Sequence, residues 1–229
     1  MERVEQLLRD MGAALVGFAD LRALPEEVRH GLPYGISFAV AVDAEIVADV
    51  IDGPTVEYAG EYERTNDMLD QMGEAVAEML RAEGHQAVAV PATSSVGLDL
   101  RTLSSVLPHK TVATRAGLGW IGKCALLITE EYGSAIRLAT VLTDAEVCAA
   151  EPVDESRCGD CTACLDVCPT DAPTGELWEA GVPRERILDA FACMRMAKEM
   201  AGRVGVRHII CGMCIAACPW TRRYLECSR

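Results

Sequence analysis

CGDCTACLDVCP, residues Cys158 to Pro169, sets four cysteines at the spacing C-x2-C-x2-C-x3-C-P. Steps of three residues let the thiolates of Cys158, Cys161 and Cys164 converge on one iron–sulfur cubane from a tightly turned loop. Cys168, after a longer gap and before a proline, turns away toward a second cluster. Two clusters need further thiolates, one for the first and three for the second. Downstream, CGMCIAACP supplies Cys211, Cys214 and Cys218, again with a proline after the last, and Cys193 lies between the two groups. The reading is a crossed ligand set. Cys158, Cys161, Cys164 and Cys218 hold the first 4Fe–4S cluster, and Cys168, Cys193, Cys211 and Cys214 hold the second. Zinc also takes C-x2-C pairs, but eight thiolates with two C-P endings fit ferredoxin-type clusters better. Cys193 stands outside both cysteine runs, with no C-x2-C companion.

Outward from this run, cysteine content divides the chain. Of 11 cysteines in 229 residues, Cys124 and Cys148 stand alone and the rest fall between Cys158 and Cys227. The segment AAEPVD, Ala149 to Asp154, is therefore the expected boundary between a domain at 1–150 and one at 151–229. The N-terminus MERVEQLLRDMG mixes charged with apolar residues and carries no apolar leader, and no apolar run approaches membrane-spanning length. A cytoplasmic protein is expected, in which cysteines serve metal or redox chemistry rather than disulfides. The net charge of −14 is unevenly spread: residues 1–150 hold 23 acids against 11 bases, residues 151–229 hold 12 against 10. Such a surface repels phosphate backbones and argues against nucleic acid. One island, Leu100 to Thr129, holds Arg101, Lys110, Arg115 and Lys123 and no acid. It reads as chance clustering or as a pocket for something polar or anionic.

Periodicity fills in the first domain. Val4, Leu7, Leu8 and Met11 repeat as a helix, and ALVGFAD (14–20), GISFAVAVD (35–43) and HQAVAVPA (85–92) read as strands. Residues 58–83 form a long helix with Met68, Leu69, Met72, Val76, Met79 and Leu80 on one face. HKTVATRAG (109–117) is a short helix, and CALLIT (124–129) and AIRLATVLTD (135–144) are strand-like. Interleaved helices and strands make the domain α/β or α+β. In the second domain, 184–201 and 204–210 read as helices between the cysteine motifs.

AGLGWIGK, Ala116 to Lys123, satisfies G-x-G-x-x-G and, through Gly117 to Lys123, most of a P-loop. A dinucleotide fold needs a strand before the first glycine and a helix after the last. Here the order is reversed, Trp120 sits where the chain should approach pyrophosphate, and Cys124 replaces the magnesium-holding hydroxyl. Neither nucleotide reading survives. A turn packing a helix on a strand, with Trp120 filling space, is the plain alternative.

RAGLGWIGKCALLIT, followed by YGS, LATVLTD, CGDCTACLDVCP and CGMCIAACPW, resembles the epoxyqueuosine reductases, relatives of the corrinoid reductive dehalogenases. The likeness runs from about Pro108 to Leu225. It implies a nitroreductase-like α/β N-terminal domain that binds cobalamin and a ferredoxin-like domain with two 4Fe–4S clusters. It also supports the crossed ligand set. By position, Gly117, Gly119, Trp120, Ile121, Gly122 and Lys123, together with Gly133 and Ser134 of the YGS turn, would border the corrin, with Lys110 and Arg115 close by. Glycine amides and a basic island suit its amide side chains and phosphate-bearing tail.

The sequence departs from the family at two points. The proton-donating Asp that the family carries upstream of the glycines has no counterpart in LRTLSSVLPHKTVATRAG. His109 is the nearest group able to donate a proton near neutral pH; it also reads as a helix-start packing residue or, more weakly, as an axial cobalt ligand. The chain stops at WTRRYLECSR without the helical extension that helps larger members hold tRNA. The expected activity is a cobalamin-dependent reduction of a non-tRNA substrate in an anaerobic host. An external ferredoxin or flavodoxin would supply the electrons. The alternatives are an electron-transfer protein serving a partner such as a corrinoid protein, with the acidic half as docking face, and epoxyqueuosine reduction itself.

Overall fold

Strand alternation decides which face of the sheet is covered by what. In the computed structural model, which describes residues 1–92 and 99–228, β1 (Leu15–Asp20) pairs antiparallel with β2 (Tyr34–Ala41), Leu15 opposite Ala39 and Asp20 opposite Tyr34. β6 (Ile136–Thr143) pairs antiparallel with β3 (Ala87–Val90), giving the order β1-β2-β6-β3. Val16 and Phe18 of β1 and Ile36, Phe38 and Val40 of β2 face one side. There they meet α1 (Glu2–Asp10) through Val4 and Leu8, and α3 (Val56–Ala82) through Leu69, Met72, Val76 and Leu80. The methionine stripe of α3 is thus core, with Met68 and Met79 packed at its margin. On the other side lies α4 (His109–Arg115), which comes close because β1 and β2 present glycines there. A Cβ on Gly17 would stand 2.7 Å from the Ala116 carbonyl oxygen, and one on Gly35 2.7 Å from Val112 Cγ1.

The described residues form two compact units: 1–41, 64–118 and 137–153 in the first, and 42–63, 119–136 and 154–229 in the second. The last passage between them, at Val153 and Asp154, lies in the AAEPVD segment. Residues 42–63 and 119–136, which composition alone assigned to the first domain, group with the cysteine-rich unit. Composition follows the chain, whereas compactness follows space.

The second unit contains α2 (Ala44–Ala48), capped by the Asp43 carboxylate at the Glu45 and Ile46 amides. It also holds a two-stranded hairpin of β4 (Trp120–Ile121) and β5 (Leu127–Ile128). Four helices follow: α5 (Ala163–Asp166), α6 (Ala190–Arg203), α7 (Met213–Ala217) and α8 (Pro219–Cys227). Val47, Val50, Tyr58, Ala135, Ile210 and Ala216 form its apolar core. Three expectations need correction. CALLIT is strand only at Leu127–Ile128, because 122–126 make the hairpin turn, closed by the Gly122 amide on the Leu126 carbonyl. The helix expected over 184–201 is α6 from Ala190 onward, preceded by a single 3-10 turn at Arg184–Arg186. Val204 to Ile210 is not helical: Gly205 at φ +74 ends the run in the left-handed region. Periodicity does not show the short helices α2, α5, α7 and α8. The last begins at Pro219, a residue preorganised for a first helical position.

Candidate metal centre

Each cysteine run carries a one-turn helix with a cysteine inside it, Cys164 in α5 and Cys214 in α7, and the two helices pack on each other. Cys193 lies in the first turn of α6, the other expected ligands sit in loops or at helix ends, and the structure gathers them. Cys218 neighbours Cys158, and its thiol is pushed up by burial while the amides of Thr221 and Trp220 pull it back. Cys218 is the N-cap residue of α8, so those donors are the unsatisfied first-turn amides. Cys193 lies by Cys211 and Cys168: burial raises its thiol, and the two neighbouring sulfurs raise it further. Burial likewise raises Cys211, against the amide of Met213, and its sulfur stands 3.6 Å from Met200 Sδ. Anionic thiolates in such places are unfavourable unless a cation takes them up, which is what cluster iron does. Among the described residues no three His, Cys, Asp or Glu side chains converge tightly enough for a single metal ion. A cubane binds its thiolates on separate irons and does not ask for that convergence.

Two further groups test whether clusters fit this cradle. The Trp120 indole N–H is buried and has no partner among the described residues, although buried indoles ordinarily find one. Its ring meets Trp220 edge-on at 5.1 Å and carries the Arg157 guanidinium at 5.3 Å. Lys123 is 7% exposed, and its ammonium donates to the Cys161 carbonyl oxygen at 3.0 Å. An orphaned donor and a buried cation on a neutral acceptor both call for nearby negative charge. The cysteine cradle would provide it once loaded.

The residues expected to border a corrin divide between the units: Lys110, Arg115 and Gly117 in the first, Gly119, Trp120, Ile121, Gly122, Lys123, Gly133 and Ser134 in the second. Their requirement for glycine is met by the chain itself. Gly117 has φ +69 and approaches Ala150 and the Glu151 carbonyl. A Cβ on Gly119 would collide with the Ile128 carbonyl, and one on Gly133 with the Thr221 amide. Ser134 donates its amide to Thr221 Oγ1 at 3.1 Å, so the YGS turn pins the start of α8. Ile121 pairs with Leu127 and is buried. Arg115 donates to the Val153 carbonyl at 2.8 Å, Arg101 pairs with Asp99, and Lys110 lies on α4 next to His109.

His109 opens α4. Its Nε2 lies 2.9 Å from the Pro91 carbonyl oxygen, so Nε2 is the donor, and Nδ1 then accepts from the Thr140 hydroxyl at 2.9 Å. Burial holds the imidazole below its ordinary value and Arg137 adds to this, against the Pro91 bond and Asp70. With both nitrogens engaged, the ring has the geometry of a pin between helix and sheet.

A family of 4Fe-4S double cluster binding domains matches residues 157–221. The epoxyqueuosine reductase of Lactococcus garvieae (strain Lg2) is 32% identical over 170 residues, 71% of this chain and 46% of that protein. The enzyme of the same name from Pseudomonas aeruginosa is 29% identical over 188 residues, 77% and 47%. This chain spans about half the length of these curated relatives. Among solved structures, an epoxyqueuosine reductase with an epoxyqueuosine-modified tRNA stem loop superposes with TM-score 0.66 at 20% identity, over 96% of this chain and 65% of the other. A reductive dehalogenase, whose structure suggests a mechanism for B12-dependent dehalogenation, gives 0.70 at 18% identity, over 99% and 33%. At these identities the structural likeness concerns the fold, which is mixed α/β with a double-cluster domain.

Proposed function

We propose that this chain, a homologue of the epoxyqueuosine reductases, is an iron–sulfur reductase that passes electrons singly through two 4Fe–4S clusters to an acceptor. The observation that carries the reading is the gathering of Cys158 with Cys218 and of Cys168 with Cys193 and Cys211, inside the segment that matches a double-cluster domain. The ligand sets are Cys158, Cys161, Cys164 and Cys218 for the first cluster and Cys168, Cys193, Cys211 and Cys214 for the second. An external one-electron donor of the ferredoxin or flavodoxin kind feeds them.

In this reading cobalamin is the acceptor, which the shared fold of a B12-dependent dehalogenase supports, and the first unit is nitroreductase-like. When bound, cobalamin would supply a low-valent, nucleophilic metal. The acidic residues 1–150 favour a substrate other than tRNA. The protein-filled surroundings of Gly119, Gly122 and Gly133 favour a second reading, an electron-transfer protein for a partner that carries its own acceptor, such as a corrinoid protein. His109 serves as a proton donor only if Nε2–H leaves the Pro91 carbonyl; as placed it is the pin.

The test begins with anaerobic reconstitution of the full chain. About eight irons per chain are expected, falling to about four in Cys193→Ala, since each cubane uses four thiolates. Iron unchanged in that variant would defeat the assignment. Hydroxocobalamin is then added while optical and paramagnetic-resonance spectra are recorded. Binding with a changed cobalt signal supports the reductase reading, and absence of binding leaves the electron carrier. Turnover of epoxyqueuosine-modified tRNA would establish the homologues' reaction and remove the non-tRNA reading.

A further inference from the structure

The end of the Gly-rich stretch, WIGKC, does something that neither its motif nor its resemblance accounts for. It comprises β4 and the first part of the hairpin turn, and a turn tip belongs at the surface. Yet Lys123 and Cys124 are each only 7% exposed. Three successive residues meet the cysteine run in order. A Cβ on Gly122 would meet the Ile128 side chain first and stand 3.5 Å from Cys158 Sγ; Lys123 donates to the Cys161 carbonyl; the Cys124 thiol lies beside those of Cys164 and Cys214. Among the described residues the Lys123 ammonium has no carboxylate partner, and its contact is to the loop of the first cluster alone.

We propose that Lys123 is a positioning residue for electron flow, holding the first cluster at a higher potential than the second so that the electron comes to rest there. The proposal rests on the two-cluster reading above. A cluster gains negative charge on reduction, and a buried ammonium beside its ligand loop stabilises the reduced form more than the oxidised one. Lys123 does this for the first cluster selectively, because its ammonium ends on the Cys161 carbonyl.

The experiment uses the reconstituted full chain, wild type against Lys123→Met, Lys123→Gln and Lys123→Arg. It follows iron content and a redox titration monitored by paramagnetic resonance. Iron is expected to stay at about eight per chain throughout. In Lys123→Met the reduced-to-oxidised ratio of one cluster at fixed potential falls about tenfold, which for a one-electron couple is about 59 mV. The other cluster moves by about twofold or less. Lys123→Arg, which keeps the charge, stays near wild type. Unchanged ratios in Lys123→Met with iron intact, or equal shifts of both clusters, would overturn the proposal and leave the proposed function standing. A wild-type chain that takes up no cluster would remove the proposed function itself. Should Lys123→Met fail to fold, the comparison of Lys123→Gln with Lys123→Arg still decides.

Discussion

The two units are held by different interiors. The first is an apolar sandwich, in which Leu8, Ile36, Phe38, Leu69, Met72, Val76 and Leu80 are all 0% exposed between the sheet and its helices. In the second, the stretch from Asp154 to Ala190 buries only Ala172, Pro173 and Ile187, and its one α-helix, α5, has four residues and no buried one. A helix of that length has no stability of its own. Hydrophobic burial specifies the first interior; thiolate–metal bonds have to specify much of the second, as in other small metal-dependent folds.

That contrast is broken or sharpened by removing one interior at a time. Stripping iron with a chelator should have the largest effect. Amides across 154–190 are expected to exchange at close to unfolded-chain rates, while those of β1, β2 and β6 keep their protection. Continued protection across 154–190 without iron would show that the segment folds on apolar contacts after all. Next, Phe38→Ala opens a void in the first interior and should cost about 3–5 kcal/mol in chemical denaturation followed by circular dichroism. Its cluster absorption after reconstitution should match wild type. Iron lost in step with stability would erase the distinction between the interiors.

The smallest effect concerns His109, whose folded-state value lies below its ordinary 6.5 because the ring is buried. The neutral ring is the native form, so its contribution is fully present above about pH 6.5. It is lost as pH falls through the lowered folded value, with a slope of at most about 1.4 kcal/mol per pH unit. His109→Gln should lack that component of acid sensitivity. An acid limb identical to wild type would mean that the ring is not a pin and would return it to the proton-donor reading.

Legibility followed the same division. Strands β1, β2 and β6 and helix α3 were readable because burial on one face writes a period of two or 3.6 into the sequence. The cysteine spacing was readable because three residues per step is a local geometric demand. Helices α7 and α8 were not, since each is short and takes its place from the cysteines around it. CALLIT read as a strand because its apolar run could not reveal that Ala125, at φ +58, sits in a turn. The glycines of AGLGWIGK signalled close approach, and on the side a Cβ would take, the Ile128 carbonyl comes up to Gly119 and the Ile128 side chain to Gly122.

Sequence by itself determined the cofactor class, the mixed α/β framework and the exclusion of both nucleotide loops, since each depends on residues near one another in the chain. Tertiary structure alone decided what the lone side chains face. The basic island drew Lys123 toward a polar ligand, yet its ammonium ends on the carbonyl of Cys161, 38 residues away. Cys124 stands apart from the cysteine runs in the sequence, and in the structure it is buried beside Cys164 and Cys214, one from each run. Both outcomes turn on which distant loop fills the space beside a hairpin turn, and no local spacing encodes that.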